Sequence, residues 1–342
     1  MSGKTHSILS IFRLLWQAAA VFVMVFSGTA HSEDHAFVGF QEIALPNGSE
    51  PPLHAGIWYP TLARPQETRL ETFSQLVATD GAIAGRELPL VVISHGGAGS
   101  FASHYDTALA LAHAGFIVAA VDHAGDTFDD QRQVLKLWRR PMQLNRLITF
   151  VLDDWRDHAH VDSRRIGAFG FSNGGFTVLV AAGGKPDLNL IDPYCRDHPT
   201  HDLCSTLMKA GVSSVAALPV PPDPWVRDQR IKAIAVAAPA FGFTFSTGGL
   251  NDVTVPVQLW RAADDHRQPN PWYDEAVRIA LPHPPEMHIV ADAGHYDFLP
   301  PCSAVLAKHA PDICADPNGF DRAAFHHRMN AQLVNFFRAK LQ

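Results

Sequence analysis

An α/β architecture on a mostly parallel, doubly wound sheet is the fold class the sequence predicts, and three observations carry it. Several β-rich runs are apolar from end to end, among them Leu90-Val91-Val92-Ile93 and Phe116-Ile117-Val118-Ala119-Ala120-Val121. Strands buried on both faces of a parallel sheet read this way. Helical patterns fall between these runs, the alternation that βα crossovers produce. The last helical pattern sets Phe325, Met329, Leu333 and Phe336 on one stripe, as a helix packed on a sheet requires.

In chain order, strands are predicted at 38–45, 54–59, 88–94, 116–122, 165–171, 231–237, 255–260 and 286–290. Helices are predicted at 105–114, 142–157, 175–183, 272–280 and about 321–341. One stretch, 184–230, breaks the rhythm with Pro186, Pro193, Pro199, Pro219, Pro221, Pro222 and Pro224. A loop this long inside a compact domain is usually functional. It reads as an insertion, either a lid-like cover over a site or a stapled structural excursion. No linker separates independent domains, so residues 33–342 are expected to form one domain carrying the 184–230 insertion.

The 342 residues carry 27 Lys+Arg against 34 Asp+Glu, a formal charge of −7. That balance excludes the basic surface a nucleic-acid binder uses to displace counterions. With 47% hydrophobic and 18% charged residues, the chain has the composition of a folded domain with a large core.

Residues 1–32 read as a signal peptide. Lys4 and Arg13 precede an apolar run over 14–26, no acidic residue occurs before Glu33, and small residues allow cleavage after Ala30 or Ser32. The run falls short of the roughly 20 residues a membrane span needs, so no stable span is expected. An uncleaved signal anchor is the alternative. A secreted or periplasmic location makes disulfides the natural reading of the four cysteines. Three pairings exist, and nearest neighbours favour Cys195 with Cys204 and Cys302 with Cys314. Zinc is disfavoured because neither pair has CxxC spacing.

The central chemical signal is Gly170-Phe171-Ser172-Asn173-Gly174-Gly175, leaving a predicted strand and entering a predicted helix. In that context G-x-S-x-G is a nucleophile elbow. Small residues two before and two after Ser172 let neighbouring backbone pass close to a strained turn. A serine hydroxyl needs a base, and His295, in Asp292-Ala293-Gly294-His295 after the last strand, is placed to supply it. The acid that orients the imidazole should lie between them, and either Asp264 or Asp265 could serve. Oxyanion donors are expected from the N–H of Asn173 and from the loop His95-Gly96-Gly97-Ala98-Gly99, with Gly97 favoured and Gly96 or Ala98 as neighbours. Most other histidines, including His326 and His327, are assigned to solvent or local hydrogen bonds. His158 with His160, and His198 with His201, lack the spacing of metal-ligand pairs. Trp225, Phe241 and Phe243 are assigned to packing by default.

These residues resemble the α/β-hydrolase superfamily. Ile57-Trp58-Tyr59-Pro60, Ser94-His95-Gly96, Val121-Asp122-His123, Gly170–Gly175 and Gly294-His295 resemble its dienelactone-hydrolase-related and platelet-activating-factor-acetylhydrolase-like branch. In that fold the acid commonly stands four residues before a Pro, which favours Asp265, four before Pro269, over Asp264. Dienelactone hydrolases proper use a Cys nucleophile, and position 172 is Ser, a departure that points to ordinary carboxylic esters. The resemblance implies a cofactor-free and metal-free serine esterase acting on a small-molecule or lipid-like ester. A lipase or polyester hydrolase, an amidase or peptidase, and a non-catalytic binding protein on the same fold are the alternatives.

Overall fold

The computed structural model describes residues 37–246, 248–316 and 319–342; the expected signal peptide, 1–32, lies outside them. Strands β1 (Phe37–Asn47) and β2 (Glu50–Thr61) form an antiparallel hairpin, and β3 (Gln66–Leu70) and β4 (Phe73–Thr79) form another. From β5 (Leu88–Ser94), helix and strand alternate through α1 (Tyr105–His113), β6 (Ile117–Val121), α2 (Arg139–Asp153), β7 (Val161–Phe171) and α3 (Asn173–Ala181). Helices α4 (Ile191–Asp197) and α5 (Asp202–Lys209) precede β8 (Ile231–Ala237) and β9 (Val257–Ala262). Helix α6 (Asp274–Ala280), β10 (Glu286–Val290), α7 (Ala304–His309), α8 (Pro311–Cys314) and α9 (Arg322–Lys340) complete the chain.

The sheet runs β10-β9-β8-β7-β5-β6-β2-β1-β4-β3. From β10 to β6 every pairing is parallel, and β2 joins β6 antiparallel. This is the predicted wound sheet with a mixed edge. Side chains on one strand alternate between two cores: Leu90 and Val92 of β5 join one, Val91 and Ile93 the other. The first core includes residues of α2, α3 and α6, the second residues of α1 and α9. Phe325, Met329, Leu333 and Phe336 are all buried in the second, as the stripe predicts.

Element ends shift by a few residues throughout, as at α2, which stops at Asp153 rather than 157, and three departures have identifiable reasons. Helix α2 begins at Arg139 rather than 142, because Pro141 falls in its first turn, where no intrahelical donor is missed. The β3–β4 hairpin turns through Glu71, at φ +51° without a glycine, so no turn signal announces it. Residues 184–230 contain the helices α4 and α5 rather than a continuous loop, tied by the Cys195–Cys204 disulfide just after the α3 segment. Cys302 and Cys314 form the second disulfide and join the segment just before α7 to the end of α8.

Candidate active site

Winding reverses between β5 and β7: the chain goes from β5 to β6 on one side and returns to β7 on the other. Loops leaving the carboxyl ends of such strands diverge and open a crevice. The loop after β5 carries Gly97, and Ser172 follows β7 at the entry to α3. The turns after β9 and β10 carry Asp265 and His295.

Ser172 has φ +54° and ψ −120°, a strained conformation for a residue with a Cβ. Its N–H donates to the Ala237 carbonyl at 2.9 Å, and its own carbonyl accepts from Ala240 N–H at 3.0 Å, so both neighbours fix the turn. Glycines make that turn possible. A Cβ at Gly174 would collide with the Ser94 carbonyl oxygen, and one at Gly170 with the Gly174 carbonyl.

Ser172 Oγ lies 3.1 Å from His295 Nε2, and His295 Nδ1 lies 2.7 Å from Asp265 Oδ2. Side-chain exposure of His295 and Asp265 is 5% and 6%. Asp265 Oδ1 accepts from the N–H groups of Arg267 and Gln268 at 2.9 and 2.8 Å. Burial opposes ionisation of Asp265; the adjacent imidazole and the two main-chain donors outweigh it and hold the carboxyl below its ordinary range. Asp264 is exposed and contributes only its N–H, to Ala293 O. The structure therefore brings Asp265, not Asp264, to the histidine.

The N–H groups of Gly97 and Asn173 find no acceptor among the described residues. They lie close together: a Cβ at Gly97 would stand 2.7 Å from Asn173 Nδ2. Beneath this loop His95 and His123 are fully buried and neutral. Burial, reinforced by the Arg140 charge, holds both well below the ordinary imidazole value.

Two residues near the site escape sequence reasoning. Gln268 Nε2 donates to Ala238 O and Pro239 O at 2.6 and 3.2 Å, which sets Oε1 3.2 Å from Ser172 Oγ, where it competes with His295 Nε2 for the single hydroxyl proton. The opposite amide orientation would set Oε1 against two carbonyl oxygens. His326 is not a solvent histidine. It is buried, with Nδ1 2.7 Å from Asp106 Oδ2 and Nε2 3.0 Å from Asp297 O, and it ties α9 to α1 and to the His295 turn. No motif marks either residue; both depend on which turns the fold brings together.

The crevice is a cavity of about 860 Å³. Apolar side chains dominate its walls: Phe73 and Phe128, Leu203 and Leu207 from α5, Leu306 and Ile313 from the second disulfide-tied segment. Phe241 packs in the core as expected and also lines the cavity, whereas Phe243 stacks on Tyr194 and Trp225 packs edge-on against Phe176. His158 and His160 face the carbonyls of Trp155 and Gly85, and His198 stacks on His201. Among the described residues no group of three or more His, Cys, Asp or Glu is placed to hold a metal ion, and no helix is long and apolar enough to cross a membrane.

Fold and site together give an α/β-hydrolase fold in which a serine, a histidine and an aspartate stand within hydrogen-bond reach of one another. Residues 103–189, less than half of the chain, match the model of the prolyl oligopeptidase family, and this segment contains the Ser172 elbow. Among solved structures the chain is similar to the ferulic acid esterase from Streptomyces cinnamoneus, with a TM-score of 0.61 over 91% of each chain and 17% sequence identity. By sequence, no curated protein matches it.

Proposed function

We propose that the protein hydrolyses carboxylic esters through a Ser172 acyl-enzyme. The observation that carries this reading is the Ser172–His295–Asp265 relay opening into a largely apolar cavity. His295 Nε2 takes the Ser172 proton as Oγ attacks the ester carbonyl, and Asp265 holds the ring with Nδ1–H toward its carboxylate. The N–H groups of Gly97 and Asn173 receive the oxyanion; each such donor contributes about 3 kcal/mol in the transition state. His295 then protonates the leaving alcohol, and a water attacking the acyl-enzyme reverses the sequence.

Apolar walls favour a small-molecule or lipid-like ester, and the motifs Ile57–Pro60 and Val121–His123 support the dienelactone-hydrolase-related, platelet-activating-factor-acetylhydrolase-like branch. Asp202, Leu203, Thr206 and Leu207 in the cavity wall support a substrate-covering role for the 184–230 insertion. The two disulfides and the character of residues 1–32 support a secreted or periplasmic location. A peptidase reading rests on the 103–189 match alone.

Ser172→Ala is expected to abolish hydrolysis of a short chromogenic ester and labelling by a fluorophosphonate, with the melting temperature essentially unchanged. Retained turnover in that variant would sink the assignment. Matched ester and amide substrates separate the esterase from the peptidase reading.

A further inference from the structure

The loop that offers Gly97 N–H is held in an unfavourable conformation. Ala98 sits at φ +54°, left-handed and strained for a residue with a Cβ. Its N–H donates to Asp126 Oδ1 at 2.8 Å, so a side chain from the loop after β6 grips the loop after β5. Asp126 Oδ2 accepts from Arg140 Nη1 at 2.5 Å, and the two side chains are 4% and 3% exposed. Arg140, on α2, uses its remaining donors on the same neighbourhood. Nη2 donates to the His95 carbonyl, on the other side of Gly97 from Ala98. Nε donates to Thr177 Oγ1 at 3.0 Å, and Thr177 Oγ1 donates to the Asn173 carbonyl at 2.7 Å.

One guanidinium therefore reaches both halves of the expected oxyanion hole. It fixes the β5 loop at His95 and, through Asp126, at Ala98, and it fixes the first turn of α3 through Thr177. A planar fork can hold three directions at once, which a lysine ammonium on a single stem cannot match. A buried ion pair is a poor source of stability, because desolvation offsets most of the attraction. Here every contact of the pair falls on the two segments that carry Gly97 and Asn173.

We infer that Arg140 and Asp126 are positioning residues that set the Gly97 and Asn173 N–H groups at the spacing the oxyanion requires. The inference rests on the ester-hydrolase reading of Ser172. Arg140 touches no reacting atom, so it acts on the transition state through the peptides it holds.

The test uses the full chain with both disulfides intact. Wild type is compared with Arg140→Lys, Asp126→Asn and the double variant Arg140→Met/Asp126→Asn. The double variant removes both buried charges, so folding does not depend on an orphaned carboxylate. For each, kcat and KM are measured on a short chromogenic ester, and calorimetry gives the Kd and stoichiometry of a boronic acid that forms a tetrahedral adduct on serine. In the double variant kcat is expected to fall about 100-fold with KM within about threefold, the scale of losing one well-placed oxyanion donor. The boronic acid Kd should rise in parallel at unchanged stoichiometry, and Arg140→Lys should fall between the double variant and wild type. A double variant within threefold of wild type in kcat and Kd would overturn the inference. So would a loss confined to stoichiometry, which marks a merely structural role. A wild-type protein that neither turns over esters nor labels at Ser172 would overturn the underlying reading, and the inference with it.

Discussion

His104 offers a sharp test of how this core responds to acid. It ends the short helical turn Phe101–His104, is 1% exposed, and meets Phe169 and Phe171 edge-on at ring distances of 5.3 and 5.6 Å. Neither ring nitrogen has a hydrogen-bond partner among the described residues. Burial pushes its pKa down to about 4 from 6.5; nearby Asp106 opposes the shift and His326 reinforces it. In the unfolded chain the ring takes up a proton as pH falls through 6.5, whereas the folded chain refuses it until about 4. Stability is therefore complete above 6.5 and declines between 6.5 and 4, with no further loss below. A difference of about 2.5 units corresponds to roughly 3.5 kcal/mol at about 1.4 kcal/mol per unit.

His104→Leu removes the titrating group and fills an apolar site. At pH 7.5 its stability should lie within about 1 kcal/mol of wild type, because the lost ring contacts and the relieved nitrogens oppose each other. Urea denaturation of both proteins at pH 7.5 and 4.5 gives the measurement. His95 and His123 also remain neutral in the fold and steepen acid sensitivity, but they are common to both proteins and cancel in the comparison. Wild type should lose roughly 2–3 kcal/mol more than the variant on acidification. Parallel losses in the two proteins would refute the argument that burial keeps His104 neutral.

Three further outcomes follow from particular contacts. Gly174→Ala drives a Cβ into the Ser94 carbonyl and should cost about 3 kcal/mol or more together with nearly all ester turnover, as melting temperature and kcat would show. Asp274, at the start of α6, has its carboxyl pushed up to about 7 by burial, with Arg261 opposing the shift. The native state thus resists ionisation while the unfolded chain ionises above 3.8, and stability declines between those values as pH rises. Asp274→Asn should therefore gain stability over wild type at pH 8 relative to pH 4 by roughly 4 kcal/mol in chemical denaturation. Replacing Cys195 and Cys204 by Ser should lower stability by about 2–3 kcal/mol, and it should raise KM more than it lowers kcat, because α5 lines the cavity but carries none of the residues in the relay.

The site was legible to the extent that chemistry leaves a local trace. Ser172 is readable because only glycines fit at 170 and 174, and His295 because it follows the last strand. The preference for Asp265 over Asp264 was readable from Pro269 four residues on, and the turn shows its basis: Asp265 takes two main-chain N–H donors while Asp264 faces water. Arg140, Asp126 and Gln268 left no trace. Their roles arise where α2 and the loops after β6 and β9 meet, and no spacing in the chain encodes that meeting. Helices α4 and α5 were hidden by composition, since Pro193 and Cys195 lie inside α4 and a cysteine-bearing, proline-rich stretch reads as loop. Strands β3 and β4 left no alternation to read, since Gln66–Arg69 are all polar and β4 buries Gln75 while exposing Leu76, and no glycine marks their turn.

The two disulfides close short loops, spanning separations of 9 and 12 residues, and each fastens its own wall of the cavity. Neither reaches into the sheet or spans the relay. The two walls are anchored differently: the first, between α3 and β8, buries Ile191, Tyr194, Cys204 and Leu207 in the core and pairs Asp202 with Arg267, two residues from Asp265, whereas the second, between β10 and α9, buries no residue of α7 or α8. The second wall can thus vary without disturbing the core, whereas a change in the first reaches the turn that carries Asp265.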